Sequence, residues 1–236
     1  MKNRVWELDA LRGICILGMV LVHFVYDLTE LYKVITWEYP HWFSFVMDWG
    51  GILFFLISGI CATLGRHSVR RGLIVVACGF ICTAVTYGMY RFGFAEKSLI
   101  IYFGALHCLG TCMILWWLCK RLPPWVIALL AAAMIAVGFY LRPLYFDCSM
   151  WLMPFGFTPK GFATSDYFPL LPYFGFFLAG AVLGHVLYRK KESLIPGGNT
   201  LPLRILRFCG RHSLWVYLLH QPVLSALSMG ISMLVQ

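Results

Sequence analysis

The sequence predicts an all-α, polytopic transmembrane helix bundle of about seven spans with a cytoplasmic N-terminus. Composition, the length of the uncharged runs and the alternation of basic loops predict it. Of the 236 residues, 61% are hydrophobic and 12% charged, against about 45–50% apolar and about 25% charged in a soluble domain. Residues 72–90, 98–119, 123–141, 167–188 and 212–236 contain no Asp, Glu, Lys or Arg; 49–65 form another such run, and 13–26 a seventh that ends at Asp27. A hydrocarbon core takes about 20 helical residues at about 1.5 Å rise each. A soluble protein with an oversized core does not account for so many runs of that length.

The basic residues orient the bundle. Of the 19 Lys and Arg residues, fourteen fall on the side of the N-terminus: Lys2, Arg4 and Arg12, then Arg66, Arg70 and Arg71, then Lys120 and Arg121, then Arg189, Lys190, Lys191, Arg204, Arg207 and Arg211. The other side has Lys33, Arg91, Lys97, Arg142 and Lys160. Basic residues collect in cytoplasmic loops, which puts the N-terminus inside and, with seven spans, the C-terminus outside. The same asymmetry accounts for the net charge of +9 without a nucleic-acid partner. The first apolar run follows a charged start and has no A-x-A cleavage site, so the first helix is expected to be retained.

The opposite side carries most of the acids (Glu30, Glu38, Asp48, Glu96, Asp147, Asp166) and two long loops. Loop 28–48 holds Trp37, Tyr39 and Trp42; loop 142–166 holds Tyr145 and Trp151. These aromatics read either as an interfacial belt or as a lid over an outward-facing site. Residues 195–202, Ile-Pro-Gly-Gly-Asn-Thr-Leu-Pro, read as a cytoplasmic linker. No repeat or low-complexity tract divides the chain, so 1–236 is expected to be a single domain. Most of the nine cysteines lie inside apolar runs and none forms a CxxC motif. They read as small buried hydrophobes, with no metal site expected.

The first span carries the most chemistry. Arg12 and His23 are eleven residues apart, three helical turns with roughly 20° left over. Asp9 lies three before Arg12 and Asp27 four after His23, so all four share one stripe. Arg12 falls at the cytoplasmic edge, with His23 about 16 Å along the axis. An ionisable residue inside a span is a functional candidate, and imidazole suits proton transfer near neutral pH. Asp27 is placed to orient that ring. On spacing alone Arg12 reads first as a positive-inside anchor, and the alternative for His23 is a hydrogen-bonded helix-packing residue. His107 stands in mid-span between Gly104 and Gly110, and Ser213, Tyr217 and His220 form an i, i+4, i+7 stripe ahead of Pro222. Pro222 can open a polar pocket by kinking its helix.

Leu8-Asp-Ala-Leu-Arg-Gly-Ile14, continuing to Val22-His23-Phe24, resembles the opening of the heparan-α-glucosaminide N-acetyltransferase catalytic-domain family, as found in its short bacterial members. The FFLISG stretch at Phe54–Gly59, the GALHCLG segment around His107 and the closing GRHSLWVYLLHQP are similar to the same family. The Arg12-x10-His23 spacing also resembles the acyltransferase-three proteins, placed with the former in a transmembrane acyltransferase superfamily. The resemblance implies a membrane acetyltransferase of the bacterial cytoplasmic membrane. It would take an acetyl group from cytosolic acetyl-CoA, the donor substrate, to an amine or hydroxyl of a sugar or envelope glycan at or beyond the outer face. It matches Arg12 to the position that meets the CoA end and His23 to the catalytic histidine; with the residues read above, the candidate catalytic set is His23, Asp27, His107 and His220, and the candidate donor-binding set Arg12, Arg71 and Arg211. It implies no metal, and it allows a homodimer. The chain departs from its better-known relatives in having fewer spans. Some relatives also place the critical histidine in the loop after the first helix, where this sequence has His41. A second function class, a proton-coupled small-molecule transporter, could use the same intramembrane histidines, but the paired halves common in transporters are not visible. A third, a non-catalytic partner subunit, has no use for His23 and His107 in mid-span.

Overall fold

The computed structural model describes residues 5–146, 149–197 and 200–235. Lys2, Arg4, Asp147, and Gly198 and Asn199 of the expected linker lie outside the described residues. The described chain is almost entirely helical: α1 (Trp6–Tyr26), α2 (His41–Leu64), α3 (Ser68–Arg91), α4 (Ala105–Cys119), α5 (Pro124–Leu141), α6 (Leu170–Leu187), α7 (Leu201–Arg211) and α8 (Ser213–Val235). Six of these are long and apolar enough to cross a membrane; α4, at 15 residues, is the shorter apolar helix. Large apolar side chains such as Phe80 (62% exposed), Trp125 (66%) and Val223 (61%) point away from any protein core. That surface requires lipid as its solvent, and the chain is a multi-pass membrane protein.

The chain divides within α2 into two compact units, residues 1–54 with 190–236, and residues 55–189. In the first unit α1 starts without a side-chain cap, but Glu7 and Asp9 lie in its first turn, where carboxylates interact favourably with the helix dipole. The α1–α7 contact depends on missing side chains. A Cβ on Gly13 would overlap the Leu206 carbonyl, and one on Gly210 the Asp9 carbonyl, so small residues let the backbones touch. The linker before α7 is strapped to the start of α1: Leu194 N–H donates to Glu7 Oε1 at 2.7 Å and Trp6 Nε1–H to the Ile195 carbonyl at 3.0 Å. At its far end α1 widens into a π-helical turn, Asp27–Leu31, with Tyr32 N–H on the Asp27 carbonyl at 2.8 Å. The chain then folds back, with Tyr39 hydrogen-bonded to Thr29 and packed on Phe43 at 5.3 Å.

In the second unit α3 packs on α4 and α5 on α6. The second half of α2 meets α6 with a similar closeness, a Cβ on Gly59 overlapping the Phe177 carbonyl. Residues 142–146 and 149–169 are folded rather than loose. Tyr145–Phe146 pairs in parallel with Thr158–Pro159, a 3-10 helix spans Met150–Phe155, and Tyr167 Oη donates to the Met153 carbonyl at 2.7 Å. Asp166 accepts the Ala105 N–H at 3.0 Å, holding this segment on the first turn of α4.

The expected boundaries shift in three places. Residues 28–48 are not one long loop: the π turn continues α1 through Leu31, and α2 begins at His41. Arg204, Arg207 and Arg211, expected in a loop, lie on α7, which starts at Leu201 inside the expected linker and carries a Pro in its first turn. An N-terminal Pro suits a helix start because its missing N–H would be unpaired there. The uncharged run 98–119 is only partly helix. A 3-10 turn, Lys97–Leu99, and an extended stretch precede Ala105, leaving α4 about 22 Å long at helical rise.

Candidate functional site

The stripe expected on α1 faces α7 and α8, and each of its four members meets a partner there. Asp9 Oδ2 pairs with Arg211 Nε at 3.2 Å. Arg12 Nη2 donates to Ser213 Oγ at 3.1 Å, and its guanidinium lies 5.9 Å from the Phe54 ring centroid. The ring of His23 meets that of His220 edge to face at 4.9 Å. Asp27 accepts from Gln221 Nε2 at both carboxylate oxygens, 3.0 and 3.1 Å. The contacts advance together along both helices, so α1 and α8 run parallel.

The hydrogen bonds of His23 and His220 define their chemistry. Nδ1 of His23 contacts the Met19 carbonyl at 2.9 Å, and Nδ1 of His220 the Tyr217 carbonyl at 2.5 Å. A carbonyl oxygen only accepts, so each Nδ1 carries the proton and each neutral ring keeps an unprotonated Nε2. Nε2 of His220 is buried and has no hydrogen-bond partner among the described residues. Two imidazoles with lone pairs at Nε2 form a site able to take up protons. The orienting role expected of Asp27 falls instead to Met19: no hydrogen bond joins Asp27 to His23, and the carboxylate, 1% exposed, is held by Gln221.

His107 belongs to the second unit and is built differently. It is 2% exposed, and its Nδ1 accepts the Gly104 N–H at 3.3 Å, capping the start of α4. Nε2 must then carry the proton, which it shares with Thr83 Oγ1 at 3.3 Å; Thr83 in turn donates to the Ile101 carbonyl at 2.7 Å. Phe80 and Phe103 pack on the ring, and Gly79 makes room for it: a Cβ there would stand 2.9 Å from Nδ1. One nitrogen of His107 therefore caps α4, and the other ties α4 to α3.

Of the basic candidates, Arg12 and Arg211 share the first unit, while Arg71 is exposed in the first turn of α3 in the second. Nε of Arg12 is buried without a hydrogen-bond partner among the described residues. His41 begins α2 and is exposed. Among the described residues no three His, Cys, Asp or Glu side chains gather to hold a metal. Sequence reasoning missed Gln221, although an amide within an uncharged run carries the same signal as a histidine there: a polar group in hydrocarbon needs a partner.

The family model described as "Heparan-alpha-glucosaminide N-acetyltransferase, catalytic" matches residues 4–222, a span that contains α1 and the part of α8 that carries His220 and Gln221. No curated protein and no solved structure matches the chain.

Proposed function

The chain belongs to the heparan-alpha-glucosaminide N-acetyltransferase catalytic-domain family, and from that premise we propose that it moves an acetyl group from cytosolic acetyl-CoA to an amine or hydroxyl of a sugar or envelope glycan across a bacterial cytoplasmic membrane. The observation that carries this reading is His23, whose ring is fixed by the Met19 carbonyl with Nε2 left as a base, on the helix that also bears Arg12.

Arg12 lies nearer the end of α1 that the positive-inside rule assigns to the cytoplasm, the side from which the donor arrives. Its buried, unpartnered Nε and the neighbouring Arg211 suit phosphate oxygens, which guanidinium groups bind through charge-assisted hydrogen bonds. The donor supplies a thioester carbonyl activated toward attack. His23 Nε2 takes the proton from the acceptor's nitrogen or oxygen as a new C–N or C–O bond forms to the acetyl carbon. The C–S bond breaks, and the CoA sulfur leaves as the thiolate. His220, edge to face with His23, is the second base of the site, and Asp27 supplies negative charge one turn further on. His107, committed to the fold of the second unit, is assigned a structural role in this reading.

The parallel run of α1 and α8 supports termini on opposite faces, with the C-terminus outside. Cysteine labelling tests the orientation: Arg70→Cys and Lys190→Cys are expected to react only from the cytoplasmic side and Lys160→Cys only from outside. Lys190 reachable from outside reverses it. The catalytic reading is tested in proteoliposomes with acetyl-CoA and glucosamine. Transfer is expected from the wild type and not from His23→Ala, with acetyl-CoA binding retained in both. Normal turnover by His23→Ala overturns it.

A further inference from the structure

Proton transfer at His23 makes no use of Gln221, yet Gln221 is the side chain that ties α8 to α1 at the π turn. Its Nε2 donates to both oxygens of Asp27 at 3.0 and 3.1 Å and reaches Ser225 Oγ at 3.5 Å. A carboxylate only accepts, so this contact turns the amide with nitrogen toward Asp27 and oxygen away from it. That oxygen, Oε1, is buried and has no hydrogen-bond partner among the described residues. The residue before it, His220, presents a second buried acceptor without a donor, Nε2. Leaving such groups unpaired costs stability, and in a folded protein each calls for an explanation. Two of them on consecutive residues of α8, each residue engaging the same helix α1, are explained together by a ligand that brings two donors.

We infer that Gln221 is a specificity-determining residue of the proposed transferase. Its amide nitrogen anchors on Asp27, and its carbonyl oxygen is thereby presented to accept a hydrogen bond from the acceptor substrate, with His220 Nε2 as the neighbouring acceptor. The substrate class is a polyol or amino-polyol, in which a second donor accompanies the group that is acetylated. A site built to hydrogen-bond a substrate group discriminates strongly against analogues lacking it, because its own buried polar atoms are then left unpaired. The inference rests on the acetyltransferase reading and adds to it a residue and a rule of acceptor choice.

The experiment compares two acceptors with the full chain in detergent: glucosamine, which has hydroxyls beside its amine, and cyclohexylamine, which has none, both at known free-base concentration. The wild type is expected to show a KM for glucosamine at least about tenfold below that for cyclohexylamine. Gln221→Met, close in shape but unable to hydrogen-bond, is expected to raise the glucosamine KM about tenfold while leaving kcat and the cyclohexylamine KM near wild type. A purely structural residue would change both acceptors equally, and that result, or no change in either, overturns the inference. The wild-type KM ratio tests the idea even if Gln221→Met does not fold, since equal KM values for the two amines also overturn it. A wild type that acetylates neither amine, while binding acetyl-CoA, refutes the acetyltransferase reading itself, and the inference falls with it.

Discussion

His23 and His107 both lie in uncharged stretches and look alike as candidates, yet the two regions around them use imidazole in opposite ways. On α1, His23 donates from Nδ1 to a carbonyl one turn back and keeps Nε2 as a base, and His220 on α8 does the same. On α4, Nδ1 of His107 accepts a backbone N–H, and Nε2 is directed at the Thr83 hydroxyl. The difference is positional. His107 is the third residue of its helix, within reach of the N–H groups that a helix start leaves unpaired. His23 stands near the end of a 21-residue helix, where the N–H groups are already bonded and carbonyls are the available partners. A histidine's place along its helix thus sets the tautomer, and the tautomer decides between a base and a brace.

Six substitutions break or sharpen this contrast. The largest effect is expected from His23→Ala, a fall in transfer rate of about 10²–10⁴ with acetyl-CoA binding kept. His107→Ala should lower activity only as far as it lowers the folded fraction, measurable as a reduced Tm; a catalytic loss of the same size in stable protein would erase the distinction. Arg12→Ala is expected to weaken acetyl-CoA binding roughly ten- to a hundredfold, the loss of a charged hydrogen bond, whereas Arg71→Ala, exposed in the second unit, should fall short of that by calorimetry. Equal losses would give both arginines the same role. Gly210→Val inserts a side chain where α7 and the Asp9 carbonyl touch. It should destabilise by about 1–3 kcal/mol or more, seen as a lower yield of folded protein, and a normal Tm would show that α7 can move away from α1. Thr83→Val is the mildest: it removes the partner of His107 Nε2 and is expected to cost about 1–3 kcal/mol of stability, with kcat unchanged.

The spans were legible in the sequence because lipid imposes a simple requirement. A crossing helix must be apolar over its length and satisfy its own backbone, so uncharged runs identify helices without reference to neighbours. The stripe Asp9, Arg12, His23 and Asp27 was legible for a similar reason, since helical periodicity alone puts these residues on one face. Charge alone, in contrast, did not distinguish the amphipathic α7 from a loop, because its arginines looked like ordinary cytoplasmic anchors.

The partners of that stripe were decided by tertiary structure alone. Residues 201 and 202 positions away in the chain, Ser213 and Arg211, meet Arg12 and Asp9, and Gln221, 194 positions away, meets Asp27. The sequence placed Asp27 one turn from His23 and implied a pair. The fold gave Asp27 to Gln221 and His23 to the Met19 carbonyl, because a side chain's hydrogen bonds depend on which donor or acceptor packing brings within about 3 Å. Composition and periodicity determine which residues face inward, since both are properties of a single helix. Which lone pair remains free for chemistry depends on a second helix, and on which backbone groups have already been paired.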